Sequence, residues 1–568
     1  MESSDIAESS TRWKGKKHGE DDVDLSNLDP SQRINSGMSE NSAWAKQNIL
    51  TFDGGGIRGY YSLLHLQKLM EYVEHAEKKA QDEAKGNGER VKEHSSFAPC
   101  GEPRHVSHYP SCPRYLPCHY FDYIGGTSTG ALITIMLARL RMPVKDCIEE
   151  YKGLAGPVFG NPRTFHQVGK RGVIFRKNKF STTSLELAIK DVVRRRGEIA
   201  NDQDDAMLFS TPKGLCRAIA FANRDVLRDS PGVGLQAPWI FRSYDHYHKI
   251  NGHDRRPTAD GTTKPRNPGQ GTRFAAWKVA RAATAAPMYF KALEIALDDG
   301  EILPTRRTTT LKAPQLSRTQ TSNLQQKANG IENTSRQVPG NRITAMLTDG
   351  GFGRVNNPSE EVLLELRFIL KKRHKRIGTW VSIGTARAMS APDGRPNILK
   401  LAKKGIEMVG DPEPVHERML EESQREDNEF LYYRFNEPNG LSVDMDEWKP
   451  RGSGGNSGSQ TMQVMDNAFA TWANRVEVVK KFEQCAEELV KTRRARAKES
   501  ISRWERYALG KFYVCTKNDC PYDPDETWHY RTNFIQHLKS DHGIIGPSDI
   551  ENMLDECEYL WEYKSPKL

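Results

Sequence analysis

Gly126-Thr127-Ser128-Thr129-Gly130 decides the reading of this chain. It lies between the apolar run Tyr120-Phe121-Asp122-Tyr123-Ile124-Gly125 and a second, helix-like apolar run from Ala131 to Met142. Strand, tight turn and helix, in that order, are what a nucleophile elbow requires. Gly126 and Gly130 remove side chains that would collide with the incoming strand and the outgoing helix. Ser128 then stands at a helix N-terminus, where amides favour a developing negative charge. A lone Gly-x-Ser-x-Gly is equally an ordinary turn, so other stretches must decide.

Upstream, Asn48-Ile49-Leu50-Thr51-Phe52 reads as a buried strand running into Asp53-Gly54-Gly55-Gly56-Ile57-Arg58-Gly59. An amphipathic helix follows, with Leu63, Leu64, Leu66, Leu69, Met70 and Val73 on one apolar face. The glycines fit a dinucleotide fingerprint, which needs an acidic residue ending the next strand about 20 residues on. Glu71 and Glu74 fall inside the helix instead. The alternative use is an oxyanion turn, with amides from Gly55 and Gly56 and with Arg58 adding charge or holding the loop. Downstream, Ile343 to Leu347 reads as a strand ending at Asp349-Gly350-Gly351, where a carboxylate can accept the Ser128 proton. Helices are expected over 181–195, with Ser181 or Thr183 as cap, 274–286 and 360–370. Further strands are expected over 215–222 and 377–383. The alternation predicts an α/β fold: a mostly parallel sheet covered by helices on both faces, with all three glycine stretches on its carboxyl edge.

The totals set limits. At 568 residues, 37% apolar and a mean hydropathy of -0.71, the chain has room for several domains and much polar linker. A net charge of +9 suits an anionic surface such as lipid headgroups and is compatible with nucleic acid. Nine cysteines without a disulfide framework point to a reducing compartment. The N-terminus has no signal-like apolar core and no stretch is long enough to span a bilayer, so a cytoplasmic, peripherally membrane-associated protein is expected. The expected division is a disordered N-terminus over 1–46 and a main domain over 47–400, with polar insertions at 78–115 and 298–340. A linker and helical region follows over 401–510, then a small module over 511–545 and a tail over 546–568. The first insertion carries Cys100, His105, His108 and Cys112, with Cys118 and His119 beyond, at irregular spacing that favours an ordinary loop over a metal site. In the helical region a stripe including Met465, Trp472, Val476, Val479, Phe482 and Leu489 is expected to pack on the main domain. Arg493-Arg494-Ala495-Arg496 reads as a solvated face or a nuclear signal.

Near the C-terminus, Cys515 and Cys520 have four residues between them, as do His537 and His542, and sixteen separate Cys520 from His537. Two Cys and two His suit tetrahedral structural zinc, with the histidines on one helix face and Phe534 and Leu538 as a small core. The middle gap exceeds the usual finger spacing. Such a module binds protein or nucleic acid, or only stabilises the tail.

Taken together the motifs resemble the patatin-like phospholipase family over roughly residues 47–400. The likeness rests on Asp53 to Gly59, on Phe121 to Ile124 leading into Gly126 to Gly130, and on Asp349 to Gly351 followed by Asn356-Asn357-Pro358. Ala285-Ala286-Pro287 and Ser382-Ile383-Gly384-Thr385 are also similar to family features. The resemblance implies Ser128 as nucleophile, Asp349 as general base without a histidine, and an oxyanion hole over Gly54, Gly55, Gly56 and Arg58. It also implies acyl-ester cleavage of phospholipids or other glycerolipids at a membrane or lipid-droplet surface, with no cofactor for catalysis. Arg354-Val355 adds one residue to the family pattern after Gly353. Competing readings are an idle scaffold whose C-terminal finger is the active part, an esterase or thioesterase on soluble substrates, and a triad using His374. The last is disfavoured because His374 lies in the basic run 371–376.

Overall fold

Strands form at short segments with apolar centres: Gln47–Phe52 (β1), Tyr123–Thr127 (β2), Arg217–Asp225 (β3), Gln236–Arg242 (β4), Leu293–Ala296 (β5), Thr344–Asp349 (β6), Ile377–Ile383 (β7) and Leu431–Phe435 (β8). The computed structural model describes residues 42–86, 115–162, 178–196, 207–212, 214–225, 236–244, 249–250, 253–254, 274–296, 344–353, 355–370, 376–386, 410–425, 430–450, 458–510, 512–522, 527–528 and 531–559. The eight strands make one sheet in the order β8-β7-β1-β2-β3-β6-β5, with β4 also paired to β3. The β8, β7, β1, β2 and β3 strands run parallel to their neighbours. The β4, β5 and β6 strands are paired antiparallel.

Side-chain alternation divides each strand between two faces. Leu50 and Phe52 of β1 and Ala218, Ala220 and Ala222 of β3 enter one core. Ile49, Ile219 and Phe221 enter the other. Helices Gly59–Gly86 (α1), Thr129–Thr134 (α2), Val144–Phe159 (α3), Thr182–Arg196 (α4) and Ala276–Ala283 (α5) cover the first face. Ser359–Ile369 (α6) and Glu413–Ser423 (α7) cover the second with Val362, Leu366, Val415 and Met419. Both faces are therefore dry, as strands without polar alternation require. The α4 start has its cap: Ser181 Oγ accepts the Ser184 amide at 3.2 Å.

Three further helices, Ser459–Ala473 (α8), Val476–Glu499 (α9) and Ile501–Leu509 (α10), follow. Met465, Trp472, Phe482 and Leu489 join the first core, so this part of the stripe packs on the main domain, whereas Val476, the first residue of α9, is exposed at the turn between α8 and α9. The basic run on α9 is not a solvated face. Arg493 and Arg496 are 2% and 1% exposed. Arg493 Nη2 donates to Glu77 at 2.7 Å, and Arg496 Nη2 donates to Asp122 at 2.7 Å. The reason is helical phase: 482, 489, 493 and 496 share one stripe, and the buried carboxylates Glu77 and Asp122 supply the counter-charges.

Other boundaries move as well. The β6 strand runs antiparallel to β3, because apolar periodicity carries no information about strand direction. The first helix continues through 78–86, inside the expected insertion. The β8 strand, from the expected linker region, is the sheet's edge. Trp44, from the stretch expected to be disordered, packs its ring edge-on to Tyr507 at 5.6 Å. The second insertion (298–340), Cys100, His105, His108, Cys112 and His374 lie outside the described residues. Among the described residues no helix is long and apolar enough to cross a membrane.

Beyond α10, Phe512–Val514 (β9), Thr527–Trp528 (β10), Arg531–His542 (α11), Pro547–Cys557 (α12) and Glu558–Tyr559 (β11) form a small module with its own core of Tyr513, Trp528, Phe534 and Leu538. The β9 strand is central to its sheet, so the module includes residues past 545.

Candidate active site

The β2 strand delivers Ser128 into a conformation that L-residues rarely adopt, φ 54° and ψ -125°. The flanking glycines are needed for contact. A Cβ on Gly126 would lie 2.1 Å from the Gly130 carbonyl oxygen, and one on Gly130 would lie 2.5 Å from that of Phe52. Turn, strand and helix thus interlock, and strain at Ser128 is held in place by its surroundings.

The register explains how Asp349 arrives. The β2 strand ends with Thr127 opposite Phe221 of β3, and β6 ends with Asp349 opposite the next residue, Ala222. Two strands of opposite direction meet end to end along one edge of β3. Ser128 Oγ donates to Asp349 Oδ2 at 2.6 Å. The Gly351 amide donates to Oδ1 at 2.7 Å. The Asp349 backbone is fixed too: its N–H reaches Ala285 O at 3.0 Å, and Asn223 Nδ2 donates to its carbonyl at 3.1 Å. Burial pushes the Asp349 carboxyl up from 3.8 to about 7, against the lowering effect of the Ser128 and Gly351 hydrogen bonds.

The Gly54–Gly59 turn faces this pair. The Gly54 amide is engaged with Asn356 O at 3.0 Å, so it is not a free donor, contrary to its place in the expected oxyanion hole. The amides of Gly55 and Gly56 have no backbone partner among the described residues. Arg58 is buried and lines the same cavity. At the head of the turn Asp53 is fully buried against Arg434, with contacts of 3.0 and 2.6 Å. Burial lifts Asp53 to about 6, while Arg434 draws it down. Sequence reasoning missed Arg434, although a lone Arg inside Leu431-Tyr432-Tyr433-Arg434-Phe435 could have signalled a buried partner.

A cavity of about 370 Å³ opens onto Ser128, Asp349, Gly55 and Gly56. Its apolar wall includes Leu132, Leu154, Val158, Leu185 and Phe290. No histidine is among the described residues lining it. A hydroxyl within reach of a buried carboxylate, with glycine amides opposite and a dry apolar slot beside it, can carry out acyl transfer through the serine.

In the C-terminal module, Cys515, Cys520, His537 and His542 converge, their ligand atoms all within 4.8 Å of one another. Cys515 Sγ is 3.4 Å from His542 Nε2, and Cys520 Sγ is 3.7 Å from His537 Nε2. Tetrahedral zinc with ordinary bond lengths spaces sulfur and nitrogen ligands about 3.5 Å apart. His537 turns Nδ1 to Asp541 at 2.8 Å, the outer-sphere partner a metal-binding imidazole needs. The donor set therefore fits zinc. Cys118 and His119 sit elsewhere, buried in a turn over 117–119.

The class defined by this fold and pocket is an α/β protein with a serine–carboxylate site. Comparison with known proteins is more specific. The model of the patatin-like phospholipase family matches residues 50–358, more than half of the chain, and the chain belongs to that family. It is similar to the human calcium-independent phospholipase A2-gamma, 27% identical over 259 residues, covering 45% of this chain and 24% of the relative. The mouse protein of the same name is 26% identical over 261 residues, with the same coverage. The match thus spans about a quarter of the length of these relatives.

Proposed function

We propose that the chain is a lipid acyl hydrolase that cleaves acyl esters of phospholipids or other glycerolipids through Ser128. The observation that carries this reading is the 2.6 Å hydrogen bond from Ser128 Oγ to the buried Asp349 carboxylate at the head of an apolar cavity. Oγ attacks the ester carbonyl while its proton passes to Asp349. The tetrahedral oxyanion rests on the amides of Gly55 and Gly56. The intermediate collapses, the lipid alcohol leaves with the proton from Asp349, and an acyl-Ser128 ester remains. Water then attacks that ester while Asp349 takes its proton, and the second tetrahedral intermediate collapses to the fatty acid as Asp349 returns the proton to Ser128 Oγ. A carboxylate with its pKa near 7 is a far better base for a hydroxyl than one near 4.

On this reading the substrate is reached from the aqueous side of a membrane or lipid droplet, with the protein peripheral and cytoplasmic. The C-terminal module holds a structural zinc through Cys515, Cys520, His537 and His542, which would clamp β9 to α11 and supply no chemistry to the hydrolase. Its partner class on this reading is protein. Between Phe512 and Tyr559, three cations (Lys517, Arg531 and Lys539) stand against ten carboxylates, which disfavours a polyphosphate.

The test is fatty-acid release from vesicles of mixed phospholipids and from neutral-lipid emulsions. Wild type is expected to release fatty acid, with Ser128→Ala and Asp349→Asn folded and inactive. Activity retained by Ser128→Ala overturns the assignment.

A further inference from the structure

The peptide unit joining Gly56 to Ile57 is gripped at both of its polar atoms by groups far away in sequence. Tyr151 Oη, from α3, donates to the Gly56 carbonyl at 2.5 Å. The Ile57 amide donates to the Met445 carbonyl at 2.8 Å. Gly56 between them is held at φ +58°. The glycine pattern follows from these two grips. A Cβ on Gly56 would lie 2.0 Å from Met445 O, and a Cβ on Gly59 would lie 2.4 Å from Tyr151 Oη. Burial raises the Tyr151 pKa, so the hydroxyl keeps its proton and stays a donor. The Met445 side is tied down in turn: Asp446 is ion-paired with Lys179, and Lys449 N–H donates to Thr461 Oγ1 at 2.9 Å. Tyr151, Met445 and Asp446 all line the cavity.

We propose that Tyr151 and the Met445 carbonyl are the positioning groups of the oxyanion turn: by fixing the Gly56–Ile57 peptide plane they aim the Gly55 and Gly56 amides at the reacting carbonyl. The inference rests on the Ser128 acyl-enzyme reading. It adds that the turn is not self-supporting. Its orientation is set by α3 and by a strap at 443–449 that lies outside the matched family region. Both groups act on the turn and not on the reacting atoms. Each acts on the peptide unit that follows Gly56: pinning the Gly56 carbonyl and the Ile57 amide holds Gly56 at its positive φ, and so sets the direction of the Gly56 amide one unit back and, through it, that of Gly55.

The experiment compares wild type, Ser128→Ala and Tyr151→Phe as full chains, with the active sites of wild type and Tyr151→Phe counted by fluorophosphonate labelling of Ser128 so that their rates refer to folded enzyme. Phenylalanine keeps the ring and removes only the grip. The expected result is a kcat lower by about tenfold, the worth of one buried hydrogen bond, with KM within about twofold of wild type. Affinity for an alkyl trifluoromethyl ketone, which forms a serine-bound oxyanion, should fall by the same factor. A second variant, Asp446→Asn, frees the strap and should lower kcat and ketone affinity in parallel, with the melting temperature of Tyr151→Phe serving as a check on the fold. If Tyr151→Phe keeps wild-type kcat and ketone affinity, or loses only KM, the positioning role is overturned while the acyl-enzyme reading stands. If Ser128→Ala remains active, that reading fails and takes the inference with it.

Discussion

Replacing Asp349 by Asn is expected to abolish turnover and to make the protein more stable, by an amount that depends on pH. In the folded chain the carboxyl is buried and its pKa is raised from 3.8 to about 7. A raised carboxyl pKa means that the folded state binds this proton more tightly than the unfolded state does. Stability is therefore lost as pH rises from the unfolded value towards the folded one. Below about pH 4 both states are protonated and the carboxyl contributes nothing to the difference. Above about pH 7 the ionised group costs the folded state roughly 4 kcal/mol, at 1.36 kcal/mol per pH unit. Asparagine keeps the acceptor for the Gly351 amide and an amide facing Ser128 Oγ, and it never ionises. Thermal and urea melts of wild type and Asp349→Asn from pH 4.5 to 8.5 should show curves that nearly coincide at the acid end. They should separate in favour of the variant as pH rises, and run parallel above about pH 7.5. A constant offset at all pH values, or a variant less stable at pH 8, would refute the reasoning, because burial of a charge would then not be what perturbs the group.

Three further outcomes follow from the same geometry. Wild-type kcat/KM should rise with pH to a plateau above about pH 7, since the base must be ionised; a pH-rate profile with its bend near 4 would remove Asp349 from that role. Neutralising one member of the Asp53–Arg434 pair, as in Arg434→Met, should cost about 3–5 kcal/mol in equilibrium unfolding, with Asp53→Asn/Arg434→Met recovering much of it. Chelation of a zinc-loaded sample should release one metal per chain and unfold the C-terminal module, seen as a change in Trp528 fluorescence. Fatty-acid release should be untouched; loss of activity in step with zinc would show that the module supports the hydrolase.

The three glycine stretches were legible because each carries a steric rule that sequence displays. Gly126 and Gly130 are small because backbone fills the space beside them, and the pattern says so before any coordinates do. The strand Ile377–Ile383 was legible for a different reason, its β-branched and aromatic residues Ile377, Thr379, Trp380, Val381 and Ile383. What stayed hidden was set by pairing across long gaps. Nothing in Thr344–Asp349 tells its direction, yet an antiparallel β6 is what brings Asp349 up to the end of β2. Nothing in Arg493-Arg494-Ala495-Arg496 says that two of its guanidinium groups face buried acids, since composition sees charge and not partners. Tyr151 and Met445 bear no motif at all: one acts through a hydroxyl, the other through a carbonyl that every residue possesses.

The buried ion pairs bear on where this chain can be cut. Asp53, Glu77 and Asp122 all lie before residue 130, and their guanidinium partners are Arg434, Arg493 and Arg496. A fragment ending near 358, at the limit of the matched family region, or near 400 would keep Ser128 but would remove the guanidinium partners of three carboxylates together with the segments that bury them. It would also lose β8 from the sheet edge and the α9 face that covers α1. The smallest heritable and foldable unit of the hydrolase is then not the stretch that carries its motifs. It extends to the end of α10, and insertions or domain fusions are tolerated only outside that span or in the gaps between its paired charges.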